Sequence, residues 1–277
     1  MAAPARSFDI QGSLLLKPEP ERPKPTLVPA PPPVEPGESE VVRQLWASLE
    51  TAVRSKIMSA TELVRALSKQ RRDEVLPTTL APLDALLGGG LPRGKMIELA
   101  GRRSAGRFSI VLSALASATS IGEAAVLVDL GDHLDPQIAE ANGADLRRLL
   151  WIRPKSLKDA VHAVEMIAAT GFQLVVLDAG LAPIRGRRVA EASWVRLART
   201  AEAQGTAMLI STPYAITGTA SEAVVTAQKV RAKWLGRGKS PRILAGMSME
   251  VTLEKHRHLR PGRSAMLEFV TLESALA

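Results

Sequence analysis

From Pro77 onward, short runs of consecutive apolar residues alternate with longer stretches of helical spacing. Met96–Ala100 is an apolar run entering Gly101, and Phe108–Ser120 follows as a helix. The alternation continues through a strand at Ala124–Leu130, a short helix at Pro136–Asn142 and a strand at Leu149–Ile152. A helix at Ser156–Thr170, a strand at Gln173–Asp178, a helix at Val189–Gln204 and a strand at Ala207–Ser211 complete it. Strands that are apolar throughout, separated by helices, predict a parallel sheet covered on both faces. After Ser221 the alternation stops. Gln228–Leu235, Met247–Lys255 and Ser264–Leu272 read as strands, the last two joined as a hairpin across Pro261-Gly262.

Upstream of this core the pattern differs. Residues 1–39 hold ten of the 19 prolines, a density that excludes helix and sheet and predicts a tail. Residues 40–76 read as an N-terminal helical segment, with Val42, Leu45, Trp46 and Leu49 on one face and Val53 and Ile57 continuing it. Ser59 and Glu62 have capping-box spacing for a second helix over Thr61–Gln70. Residues 77–277 are then the core domain with its C-terminal strands.

Composition narrows the chemistry. The absence of cysteine excludes disulfides and thiolate metal sites, and four scattered histidines do not form a zinc set. No metal is expected. No run of apolar residues is long enough to span a membrane, which predicts a cytoplasmic protein. The net charge of +8 favours polyanionic partners, nucleic acid first, although an Arg- and Ala-rich composition alone gives the same balance. With 3% aromatic residues, binding of single strands mainly by base stacking is disfavoured.

The segment Gly101-Arg-Arg-Ser-Ala-Gly106-Arg107-Phe108-Ser109 lies between the first strand and the first helix of the core. A phosphate-binding loop sits in the same context, where backbone amides and a helix N-terminus hold phosphate. An active loop has Lys after the second glycine and then Ser or Thr for magnesium. Here Arg107 and Phe108 stand in those places, and Ser109 comes one position late. The candidate nucleotide-binding residues are Gly101, Ser104, Gly106, Arg107, Ser109 and Asp178, the last at the end of an apolar strand. Nucleotide binding without turnover and an inherited structural turn both remain open, and no catalytic residue is assigned.

Basic residues mark two further regions. Arg185, Arg187 and Arg188 lie in a loop, as phosphate contacts or solvated charges. Lys229, Arg231, Lys233 and Arg237 fall largely on alternate positions of a strand, and Lys255, Arg257 and Arg260 crowd the following hairpin. Such an edge binds DNA or an acidic partner, or only guards against aggregation. Trp46 is a further candidate for partner contact.

The run from Thr78 to Gly101, with Leu83-Asp84, Gly89-Gly90-Leu91-Pro92 and Gly94 in order, resembles the lead-in to the phosphate loop of the RecA recombinases. Val128–Pro136 and Leu174–Asp178 are similar to the recombinase segments after the second strand and at the Walker B strand. The resemblance runs from about Thr78 to Phe269 and implies a RecA-like P-loop NTPase core: a parallel central sheet flanked by helices, with an added antiparallel C-terminal hairpin. It also implies losses. The catalytic glutamate falls on Gly131, beside Asp132, the adenine-stacking tyrosine on Ile138, and the γ-phosphate-sensing glutamine near Pro213. The DNA-binding loops reduce to Gly180–Arg188 and Thr212–Ser221.

This combination, with the Pro-rich N-terminus and basic C-terminal strands, resembles the ImuA family. That resemblance implies a non-catalytic adaptor in damage-induced translesion synthesis, with no required cofactor although ATP binding stays open. The implied partners are an ImuB-type inactive Y-family polymerase homologue, with RecA, the sliding-clamp and error-prone polymerase assembly, and DNA as further ones. A weak DNA-stimulated ATPase and a SulA-like division inhibitor are the other readings.

Overall fold

A computed structural model of the chain describes residues 74–184, 189–236 and 242–270. All belong to a unit spanning Ala60–Ala277. The expected Pro-rich tail, the N-terminal helices to Gln70 and the boundary at residue 39 lie outside the described residues; at the expected boundary at 76, Val75–Leu76 pair with Leu91–Pro92 of the core.

The elements in chain order are β1 (Val75–Leu76), α1 (Ala81–Leu87), β2 (Leu91–Pro92), β3 (Met96–Gly101), α2 (Arg107–Ser120), β4 (Ala125–Asp129) and α3 (Pro136–Ala141). A single 3-10 turn leads into β5 (Leu149–Ile152), followed by α4 (Leu157–Ala168), β6 (Leu174–Asp178), α5 (Glu191–Gln204) and β7 (Ala207–Thr212). The chain continues with β8 (Ala223–Leu235), β9 (Ile243–His256) and β10 (Ser264–Val270). The main sheet has eight strands in the order β10-β9-β8-β3-β7-β6-β4-β5. All pairings from β8 through β5 are parallel; β8, β9 and β10 pair antiparallel.

Strands β3, β4, β6 and β7 are buried along their whole length, so both of their faces must be apolar. Successive side chains point to opposite faces, and the core divides accordingly. Ile97, Leu99, Leu127, Val176 and Leu209 pack with Ile110, Val111, Ala114 and Leu115 of α2. Met96, Val126, Val128, Val175, Leu177 and Met208 pack with Val161 and Val164 of α4 and Trp194 and Leu197 of α5. Local signals fix the helix starts: Ser156 Oγ accepts the Asp159 amide at 3.2 Å before α4, and Asp135 accepts the Gln137 amide at 2.9 Å before α3.

The predicted sheet is present, with two differences. β8 starts at Ala223 rather than Gln228, because Ala223–Ala227 pair with Ile97–Gly101 of β3. The antiparallel C-terminal strands, as expected, are added to the parallel sheet, joined to it through β8. β9 starts at Ile243 rather than Met247, because β8 and β9 continue together to the pair Leu235–Ile243. Helix α1, seven residues long, gave too short a periodic pattern to stand out.

Candidate functional site

The loop between β3 and α2 turns through Ser104, at φ 57°, and Gly106, at φ 77°. The latter suits glycine because left-handed backbone strains other residues. A Cβ on Gly106 would lie 2.8 Å from the Met249 sulfur, so β9 packs directly on the loop. Helix α2 begins at Arg107, one residue earlier than its apolar pattern indicates.

Arg107 does not project into the loop's hollow. Its side chain is 6% exposed and turns inward across the ends of the parallel strands. One terminal nitrogen, Nη1, donates to Asp178 Oδ1 at 3.3 Å and to the Ser211 hydroxyl; Nη2 donates to the Gly180 carbonyl at 2.8 Å. Nε has no partner among the described residues. Burial pushes the guanidinium pKa down, and Asp178 works against that. The planar fork of Arg engages three acceptors at once, which the compact lysine ammonium does not match in geometry.

The same carboxylate holds a second group. Asp178 Oδ2 lies 2.8 Å from His133 Nδ1, and this hydrogen bond is the main cause of a raised His133 pKa; burial opposes it. The backbone placing His133 is itself fixed, because Asp129 Oδ2 accepts the amides of His133 at 2.8 Å and Leu134 at 2.9 Å. Asp129 ends β4 and Asp178 ends the neighbouring β6, where they pair in register. Asp129, His133 and Asp178 each bring one ligand-type atom within 4.8 Å of the others. That composition would suit a cation, but Arg107 already sets a fixed positive charge against Asp178.

Gly131, at the place of the recombinase glutamate, is closed off by packing. A Cβ there would lie 2.5 Å from His133 Cε1 and 2.8 Å from the Gly180 Cα. Asp132 does not substitute: it is exposed, at φ 53°, and its carboxylate faces Arg153 at 3.5 Å. Phe108, at the magnesium-ligand position, stands edge-on to His133 with ring centroids 5.6 Å apart. The lysine and hydroxyl that an active loop offers a nucleotide and its magnesium are replaced here by Arg107 and Phe108. Arg107 is engaged by protein groups and Phe108 after it carries no side-chain oxygen, while Arg102 and Arg103 of the loop are exposed and Ser109 comes one position late.

Of the six predicted nucleotide residues, the structure joins Arg107 and Asp178 in direct contact. Gly101 and Gly106 frame the loop, and a Cβ on Gly101 would press on the Arg107 stem at 3.1 Å. Ser104 is exposed and Ser109 half-buried on α2. Sequence reasoning missed His133, Asp129 and Ser211. A His four residues after a strand-terminal Asp was the available signal, but without the fold it pointed nowhere.

The expected second DNA loop is tied down rather than free. Glu98, fully buried in the middle of β3, accepts the Ile216 amide at 2.6 Å, the Thr217 amide at 3.2 Å and the Thr212 hydroxyl at 3.1 Å. Among the basic candidates, Lys229 pairs with Glu250 at 2.7 Å and Lys233 with Glu268 at 2.9 Å. Lys229 sits at φ 54° where a bulge interrupts the strand's alternation. Lys255 donates to the carbonyls of Gly218 and Ser221, and Arg257 to that of Thr219. These four each have a polar partner on the protein, while the side chains of Lys229, Lys233 and Arg257 stay largely exposed. Arg231 and Arg260 are exposed. Arg185, Arg187, Arg188, Arg237 and Trp46 lie outside the described residues. No described helix is long and apolar enough to cross a membrane.

The architecture and the loop before α2 define a P-loop-type α/β core whose loop has lost its lysine. Residues 52–192, just over half of the chain, match the RecA N-terminal domain family, and the chain belongs to it. It is 39% identical over 107 residues to RecA of Saccharopolyspora erythraea, covering 38% of this chain and 31% of that protein. RecA of Streptomyces ambofaciens is similar at 39% over 107 residues, covering 38% and 29%. RecA of Synechocystis is 35% identical over 110 residues, covering 39% and 31%. The matched region thus spans about a third of the length of these relatives.

Proposed function

We propose that this chain is an adaptor of the ImuA kind, acting without nucleotide turnover in damage-induced translesion DNA synthesis. The observation that carries the reading is the inward engagement of Arg107 with Asp178, Ser211 and Gly180. Phosphoryl transfer depends on charge stabilisation, a metal ion and a group that orients the nucleophile. Arg107, Phe108 and Gly131 each remove one of these, so no single compensation restores all three. What such a core retains is its shape and surfaces, which suits holding partners. The partners in this reading are an inactive Y-family polymerase homologue, the error-prone polymerase with its sliding clamp, and RecA itself.

The test is damage-induced mutation frequency in a strain lacking the gene, with viability scored alongside. A fall to the undamaged background supports the adaptor; an unchanged frequency overturns it. Membership of the RecA N-terminal domain family favours a second reading, a weak DNA-stimulated ATPase. That reading requires ATP turnover that disappears on Arg107→Ala.

A further inference from the structure

Strand β9 ends at His256, opposite Ala223 at the start of β8. The chain then turns back into β10. The base of that turn is closed by backbone: the Gly262 amide donates to the Leu253 carbonyl at 2.8 Å, and the Leu253 amide to the Arg263 carbonyl at 2.8 Å. Nearer the tip a side chain takes over. His256 Nδ1 lies 3.0 Å from the His258 amide and 3.0 Å from the Leu259 amide. Amides only donate, so Nδ1 accepts both bonds and carries no proton. The ring does here what an Asp or Asn oxygen does in a turn. It differs in one respect: a histidine that takes up a proton has N–H at both ring nitrogens and can no longer accept.

The surroundings favour the neutral ring. Burial pushes the His256 pKa below its ordinary 6.5; Glu222 opposes the shift and His258 adds to it. Lys255 and Arg257 flank His256 in the chain, but Lys255 donates to the Gly218 and Ser221 carbonyls and Arg257 to that of Thr219. Glu222, ahead of β8, is buried, and its Oε1 lies 3.5 Å from His258 Nε2. A protonated His258 has a carboxylate oxygen to meet there. One of the two capped amides belongs to Leu259, which packs on the core beside Gly88 at the end of α1. A Cβ on Gly88 would lie 3.6 Å from Leu259 Cδ1. The cap therefore holds an apolar anchor of the turn in place.

We propose that His256 is a proton-operated latch on the β9–β10 turn. Neutral, its Nδ1 holds the amides of His258 and Leu259. Protonated, it releases both, and the tip from His258 to Arg260 leaves its place beside Gly88. The Leu253–Gly262 and Leu253–Arg263 bonds stay closed, because neither involves the ring. A histidine whose pKa is depressed by folding contributes stability that is present above its unfolded value and is lost as pH falls. The latch is thus shut at neutral pH and opens on acidification. It uses neither nucleotide nor partner, so it stands independently of the adaptor reading.

The experiment is nuclear magnetic resonance of the isotope-labelled full chain. At about pH 8, the ring-nitrogen shifts of His256 should show a bare Nδ1 and a protonated Nε2. Between about pH 7.5 and about pH 5, exchange protection of the His258 and Leu259 amides, corrected for the intrinsic effect of pH, should fall at least about tenfold. Protection of the Leu253 and Gly262 amides should hold. His256→Asn keeps an accepting oxygen that does not titrate in this range, so both tip amides should stay protected at both pH values. A protonated Nδ1 in the wild type at about pH 8 overturns the latch. So does wild-type tip protection that is unchanged by acid, a fall shared equally by Leu253 and Gly262, or the same acid loss in His256→Asn. Thermal melts at neutral pH check that His256→Asn folds; if it does not, the wild-type shifts and the comparison with Leu253 and Gly262 decide.

Discussion

Replacing Asp178 by Asn removes the charge that holds Arg107 while keeping the side chain's size. Both partners are buried, Arg107 at 6% and Asp178 at 1% exposure, so solvent does little to screen the change. Breaking a buried ion pair from one side typically costs about 3–5 kcal/mol, because the remaining charge stays buried without its counter-ion. Arg107 keeps the Ser211 hydroxyl and the Gly180 carbonyl, which places the expected loss near the lower end, about 3 kcal/mol. For a domain of this size that corresponds to a fall in melting temperature of roughly 6–12 °C. Urea unfolding of the full chain, read by circular dichroism, measures it, with an unchanged dependence on denaturant as the check that the unfolded state is the same. Arg107→Met and the double variant complete a cycle in which the coupling should reach about 1.5–3 kcal/mol. A loss under about 1 kcal/mol for Asp178→Asn, together with no coupling, would falsify the buried pair. It would leave Arg107 free to turn toward the loop's hollow.

Two further outcomes follow from the same cluster. Gly131→Ala should lower stability by roughly 1–3 kcal/mol, because its Cβ has no room against His133 and Gly180; an unchanged urea midpoint would mean the two loops part easily. His133 has a pKa raised above its ordinary 6.5 by Asp178, so its stabilising contribution is full below the unfolded value and is lost as pH rises through the folded one. The melting-temperature advantage of wild type over His133→Asn should therefore shrink from about pH 6 to about pH 9; an advantage that is flat or grows with pH would contradict the His133–Asp178 bond.

The central sheet was legible because β3, β4, β6 and β7 are buried on both faces and so appear as unbroken apolar runs. The losses in the phosphate loop were equally plain, since Arg107 and Phe108 stand at fixed offsets from Gly101 and Gly106. What replaced the lost chemistry was not legible. Asp178, Gly180 and Ser211, which hold the guanidinium, and His133, which shares Asp178, come from three separate strand ends that only the strand order brings together. The surroundings of the basic stripe on β8 were hidden for the converse reason. Period two shows which lysines alternate, but not that Glu250 and Glu268 on neighbouring strands take up Lys229 and Lys233.

The most direct test of the account is ATP hydrolysis by the purified full-length chain with magnesium, with and without single-stranded DNA, beside Arg107→Ala prepared identically. With Arg107 held by Asp178 and no oxygen at position 108, both proteins should release phosphate at the same background rate under every condition. DNA-stimulated turnover by the wild type that Arg107→Ala abolishes would contradict the account and make this chain an ATPase.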